Sequence, residues 1–167
     1  MPTPRYMGIS DFIEGLAGHL ADASLRPSYR EPLSLRRDVA RQVHGFVESQ
    51  LGPLGVPFYV WQHSRSSPSD LEPVAAFGRD FWPDIAVEVA EIPTIALAVK
   101  LIGPGDAGHH SLGSLLGRTL VYTRLYPAVL AFAWDKGPSD DHKHWWDPEL
   151  RAELNDRYRI KLVIRRQ

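Results

Sequence analysis

The stretch Trp82-Pro83-Asp84-Ile85-Ala86-Val87-Glu88-Val89, followed by Thr94-Ile95-Ala96-Leu97-Ala98-Val99-Lys100-Leu101, decides how this chain is read. Both pieces alternate with period two and are rich in Val and Ile, the pattern of half-buried β-strands. Only Ala90-Glu91-Ile92-Pro93 lies between them, so they are expected to form an antiparallel hairpin. A turn centred on Ile92 sets Asp84 opposite Lys100, Ala86 opposite Ala98 and Glu88 opposite Ala96. Ile85, Val87, Val89, Ile95, Leu97, Val99 and Leu101 then share one apolar face. A slip of one residue would mix the two sets, and burial disfavours it. The other face carries Asp84 and Lys100 side by side among small alanines, with Cβ atoms about 4.5–5.5 Å apart. An acid and a lysine so placed form a candidate site; the plainer reading is a cross-strand ion pair of small value.

Working outward, Asp11-Phe12-Ile13-Glu14 has the form of a capping box and opens a helix to about residue 23, with Phe12, Ile13, Leu16, Ala17 and Leu20 on one stripe. Ser34 is the next N-cap, and its helix runs to Gly52-Pro53 with Leu35, Val39, Val43, Phe46 and Val47 as the apolar stripe. Arg37, Arg41, His44 and Glu48 gather on the opposite, solvated side. Pro57-Phe58-Tyr59-Val60-Trp61 is the first strand. Residues 62–80 read as a long polar loop, with Arg65 and Arg79 as its local basic contacts. After the hairpin, Ile102-Gly103-Pro104-Gly105-Asp106-Ala107-Gly108 lacks the Gly-Lys-Ser/Thr ending of a phosphate loop and reads as a flexible turn. A helix from Ser111 to about Arg124 leads into the continuous apolar run Ala128-Val129-Leu130-Ala131-Phe132-Ala133-Trp134, a buried strand reached by a right-handed crossover. Asp147-Pro148-Glu149 starts a last helix. Residues 159–165 alternate as an edge strand with Arg159, Lys161 and Arg165 outward.

Pro83-Asp84 on one strand and Val99-Lys100 at the end of the next resemble the PD-(D/E)XK nuclease superfamily, the restriction-endonuclease-like fold. In that family a Pro-Asp is followed on the next strand by an acid, a spacer and a Lys; Ala98 stands here in place of the second acid. The order helix, three-stranded meander, helix, strand over 34–134 is the family's core order. Arg118 and Tyr122 fall on the following helix at the spacing of the family's Gln-x-x-x-Tyr, with Arg118 replacing the Gln.

The resemblance implies an α/β fold over 1–167: an αβββαβ core with a mixed central sheet flanked by helices, plus an N-terminal helix and a C-terminal helix–strand extension. It implies Asp84 and Lys100 as catalytic residues, Mg²⁺ on Asp84 and the Val99 backbone carbonyl, and the lysine near the attacking water. Supporting roles fall to Glu48 (an acid on the first core helix, on the side turned away from the hairpin), to Asp70 (an acid that the long loop would bring in), and to Arg118 and Tyr122. With Ala98 in the motif, the expected function is that of a catalytically impaired or inactive nuclease-like protein, retained for binding DNA or RNA or for protein assembly. The alternative is an active Mg²⁺-dependent phosphodiesterase that draws its second acid from elsewhere.

Composition sets outer bounds. A length of 167 residues suits a single domain. The absence of cysteine removes disulfides, thiolate catalysis and Cys-type zinc sites. A net charge of −1 gives no global basic field, so contact with nucleic acid would need a local basic patch. No run approaches a membrane span and the first residues lack an apolar leader, which makes a cytoplasmic location, with no membrane partner, the expectation. His109-His110 lie near the Lys100 end of the strand as candidate bases, and His142-x-His144 has the spacing of a two-histidine metal pair on an extended segment. Val121, opposite the main stripe of its helix, hints at a second packed surface that a homodimer would use.

Overall fold

Segments with period two become strands of one sheet, and segments with period 3.6 become helices laid on its two faces. The computed structural model describes residues 8–63, 71–103, 108–137 and 147–166. In chain order these form α1 (Ile9–Asp22), α2 (Pro32–Leu51), β1 (Phe58–Gln62), β2 (Val74–Ala76), β3 (Arg79–Phe81), β4 (Ile85–Val89), β5 (Ile92–Ile102), α3 (Gly108–Tyr122), β6 (Ala128–Asp135), α4 (Pro148–Tyr158) and β7 (Ile160–Arg166). The central sheet has the order β1-β4-β5-β6-β7. Its β1/β4 and β4/β5 pairs are antiparallel, and its β5/β6 and β6/β7 pairs are parallel. The mixed α/β architecture expected from the sequence is the one observed.

The alternation divides the interior in two. Ile85, Val87, Ile95, Leu97, Val99, Leu130 and Phe132 pack against Leu16, Leu20, Leu35, Val39, Val43 and Val47 of α1 and α2. On the other face Ala86, Ala96, Ala98, Ala131 and Ala133 are small, and the bulk of that layer comes from Leu115, Tyr122 and Tyr126. Burying a Leu or Phe in such layers contributes about 1.5–3 kcal/mol each.

The hairpin register departs from the expectation. Ile85 pairs with Leu97, Ala86 with Ala96 and Val87 with Ile95; a bulge follows, and Val89 pairs with Ile92. The turn is Ala90-Glu91, with φ of 51° and 65°, the two left-handed residues of a type I′ hairpin turn. The pairing is thus displaced by two residues from a turn centred on Ile92. A displacement of two preserves both faces, so the apolar face forms as expected. Asp84, however, comes beside Ala98 rather than Lys100.

Other boundaries also move. Gly8, not Asp11, is the N-cap of α1, and Asp11 lies in the first turn, where a carboxylate favours the positive helix end. Pro32 starts α2 with Glu31 as N-cap, ahead of Ser34, because the fixed φ of proline suits the first turn. Gly108 starts α3 ahead of Ser111. Asp147 caps α4 as expected, accepting from the Glu149 and Leu150 N–H groups at 2.9 and 3.3 Å. Residues 62–80 are not wholly loop: β2 and β3 form a second hairpin, and Val74 and Ala76 bury into the layer beside α3. Its turn is Phe77-Gly78, φ 53° and 69°. At β7, the edge strand, Lys161 pairs with Glu14 of α1 while Arg165 donates to the Ala23 carbonyl and lies over Trp134. These cations hold α1 and do not form a free basic patch. Val121 is buried in the layer beside α3, which removes the hint of a second surface there.

Candidate functional site

Asp84 is 3% exposed and immediately precedes β4. Its backbone N–H donates to the Leu97 carbonyl at 3.0 Å, which fixes the residue against β5. Its carboxylate is fully engaged. Oδ2 accepts the Val99 N–H at 2.7 Å. Oδ1 lies 3.1 Å from Nη2 of Arg118 and 3.3 Å from Nη2 of Arg36. Arg118 also donates from Nε and Nη2 to the Tyr122 hydroxyl, at 3.2 and 3.0 Å, and that hydroxyl donates onward to the Trp82 carbonyl at 2.7 Å. The chain of contacts joins α2, β4, β5 and α3 around one carboxylate.

The electrostatics follow from this enclosure. Burial alone would lower the Arg118 pKa, but the Asp84 carboxylate and the Tyr122 oxygen outweigh it and raise the guanidinium above its ordinary value. Burial raises the Tyr122 phenol, opposed by Arg118 and reinforced by Asp84. Tyr122 therefore stays a neutral donor, and two arginines against one acid leave the cluster with a positive excess.

Lys100 follows on β5, on the Asp84 face, two residues beyond Ala98. Diagonal neighbours of this kind stand about 7–8 Å apart. Lys100 is half-buried; the expected Asp84–Lys100 ion pair does not form, because the register shift brings the arginines to the acid instead. Val99 meets Asp84 through its N–H. Glu48 is exposed and lies against Gly52 at the C-terminal end of α2, away from this cluster. Asp70, Arg65, His142 and His144 lie outside the described residues, and His109 and His110 fall in the first turn of α3.

Arg36 is the member that the sequence reading missed, and a signal for it existed. At about 100° per residue, position 36 projects between Val43 and Val47, on the stripe that faces the sheet. An arginine on an apolar stripe needs an acid nearby, and Asp84 is that acid. Arg36 also keeps a buried Nε without a hydrogen-bond partner.

Aromatic rings border the cluster. His63, whose N–H donates to the Asp84 carbonyl, stacks on Trp82 at 5.3 Å and 8°. Farther along β1, Tyr59 stacks on Trp61 at 5.9 Å, and Trp61 Nε1 donates to Glu88 at 2.9 Å. Glu88 is thereby engaged away from Asp84.

The donor set does not fit Mg²⁺. That ion requires oxygen ligands, whereas the groups converging on Asp84 are guanidinium and amide N–H. Among the described residues no three His, Asp or Glu side chains converge to hold a metal. No helix among them is long and apolar enough to cross a membrane. Comparison with family models, with curated proteins and with solved structures returns no match for this chain.

Proposed function

We propose that this chain is a PD-(D/E)XK nuclease-like protein that binds the phosphodiester backbone of DNA or RNA without cutting it. The observation that carries the reading is the pairing of Asp84 with Arg36 and Arg118. Positive charge that a metal ion would bring is supplied by two fixed guanidiniums, and the position beside Asp84 is the fully buried Ala98 instead of a second acid. The order α2, β1, β4, β5, α3, β6 and the mixed sheet support the family reading, with β2 and β3 as an insertion between β1 and β4. Among the described residues the single carboxylate here is held by two arginines with no second acid beside it, an arrangement ill suited to activating an attacking water through a metal. What remains is recognition. Arg36 and Arg118 retain N–H groups beyond those given to Asp84, Lys100 adds a third cation on that face, and guanidinium forks suit phosphate oxygens. The Trp82 and His63 rings offer stacking surface beside them, as single-strand binders use.

Fluorescence anisotropy with labelled single- and double-stranded DNA and RNA tests this, alongside gel assays for cleavage in Mg²⁺ or Mn²⁺. Wild type should bind equally with and without chelator and leave every substrate intact. Arg118→Ala should weaken binding and reduce the slope of log K against log salt by about one; Lys100→Ala should do the same. Metal-dependent cutting abolished by Asp84→Ala or Lys100→Ala would establish the active-enzyme alternative. Absence of binding at low salt would overturn the nucleic-acid reading altogether.

A further inference from the structure

The two edges of the central sheet are built differently. β7 carries Lys161, Arg165 and Arg166 and is preceded by Arg159. β1 reads Phe58-Tyr59-Val60-Trp61-Gln62, with no charge and no proline. No residue of β1 is fully buried, and Tyr59 is 55% exposed. Natural edge strands are blunted by charge, by proline or by cover; within its five residues β1 has neither charge nor proline.

Backbone geometry shows which groups face outward. The Pro57 carbonyl accepts the Ala90 N–H at 2.9 Å, and the His63 N–H donates to the Asp84 carbonyl at 3.1 Å. In the same register Tyr59 lies opposite Glu88 and Trp61 opposite Ala86. Odd-numbered residues therefore form the hydrogen-bonded pairs with β4. Alternate residues of an antiparallel pair turn their N–H and C=O the other way. Phe58, Val60 and Gln62 thus present theirs to the free edge, where β1 has no neighbouring strand among the described residues.

A row of alternating donors and acceptors at strand spacing is matched by another strand. We propose that β1 pairs antiparallel with β1 of a second copy of this chain, across a two-fold axis at Val60, to join two central sheets into one. Two-fold pairing brings a strand's own side chains against one another, so a strand with several charges of one sign repels its copy. β1 has none to repel, whereas β7 would bring lysine and arginine against lysine and arginine. Val60 faces Val60 of the second copy, Phe58 faces Gln62, and Tyr59 faces Trp61. The Tyr59–Trp61 stack of each copy then meets the other's, covering the exposed Tyr59 with the aromatic cross-strand pairs that stabilise sheets.

Sedimentation velocity on the full chain, from low micromolar to several hundred micromolar, should show a monomer–dimer equilibrium. Amide exchange gives the signature of the edge: the Phe58, Val60 and Gln62 amides should slow as concentration rises, while Tyr59 and Trp61, bonded to β4, stay protected throughout. Tyr59→Lys should be monomeric with an unchanged circular dichroism spectrum, and Tyr59→Phe should still dimerise. Phe77→Lys, at the 92% exposed tip of the β2–β3 hairpin, serves as a control that stays dimeric. A chain monomeric at every concentration would overturn the proposal. So would a dimer whose Phe58, Val60 and Gln62 amides exchange freely, or a folded Tyr59→Lys that still dimerises. The wild-type exchange pattern decides the matter even where a variant fails to fold.

Discussion

Replacing Asp84 with alanine separates a carboxylate held for a metal from one that neutralises its neighbours. Asp84 is 3% exposed, and its Oδ1 faces two guanidiniums whose side chains are each 29% exposed. Removing it leaves both cations without their acid and the Val99 N–H without its acceptor. Breaking a buried ion pair from one side costs about 3–5 kcal/mol. The partial exposure of the arginines places the loss near the lower end, at about 3 kcal/mol. For a chain of this size that corresponds to a melting temperature lower by about 6–12 °C. Thermal and urea denaturation of wild type, Asp84→Ala, Arg118→Ala and the double variant would measure it. The double variant should recover part of the loss, with a coupling of about 1–3 kcal/mol between the two sites. An acid kept in place for a cation, in contrast, is a liability to the metal-free fold. Asp84→Ala as stable as wild type, or more so, would refute the reasoning.

Two further outcomes are expected. Burial, helped by Glu88 and Tyr122, pushes the Tyr126 phenol up to about 12. Its folded value lies above the unfolded value near 10, so its contribution is whole below about pH 10 and is lost as pH climbs toward 12; a shift of about two units corresponds to about 3 kcal/mol. Tyr126→Phe should flatten that alkaline limb in urea titrations, and an unaltered limb would show that another group governs it. Replacing Ala90-Glu91 by Asn-Gly should raise stability by about 1–2 kcal/mol, because these residues hold φ of 51° and 65°. No gain in a chemical denaturation curve would mean that the turn is not held in that conformation.

The faces of the sheet were legible in the sequence, and the pairing within it was not. Period two assigns Ile85, Val87, Ile95 and Leu97 to one side whatever the turn, so hydrophobic burial rejects a slip of one residue and is blind to a slip of two. The choice fell to Ala90-Glu91, which carries no Gly or Asn to announce a type I′ turn. The β2–β3 hairpin was hidden because its strands are only three residues each, and of its turn residues only Gly78 is a turn signal, Phe77 being no usual occupant of a left-handed position. In the candidate site, Asp84, Arg118 and Tyr122 were each legible as positions, and the structure brings them into one hydrogen-bonded network. Their partnership with Arg36 was not legible, because it depends on which helix end passes Asp84. The aromatic pair His63–Trp82 joins residues that only the β1–β4 pairing brings together.

The burial of Ala98 has a consequence for how this site can change over time. Ala98 is fully enclosed beside Asp84, in the layer that Leu115 and Tyr122 close from the α3 side. On the proposed reading, an acid restored at position 98 would enter a crowded layer and meet Arg36 and Arg118 before any ion from solvent. It would join an ion-pair network, not found a metal site. Recovering an acidic pair open to a cation needs both arginines to withdraw as well, and an acid at position 98, by balancing the present positive excess, would hold them more firmly. The first such step thus strengthens the arginine-filled state, and only the later loss of both guanidiniums would leave a pair of acids for a cation.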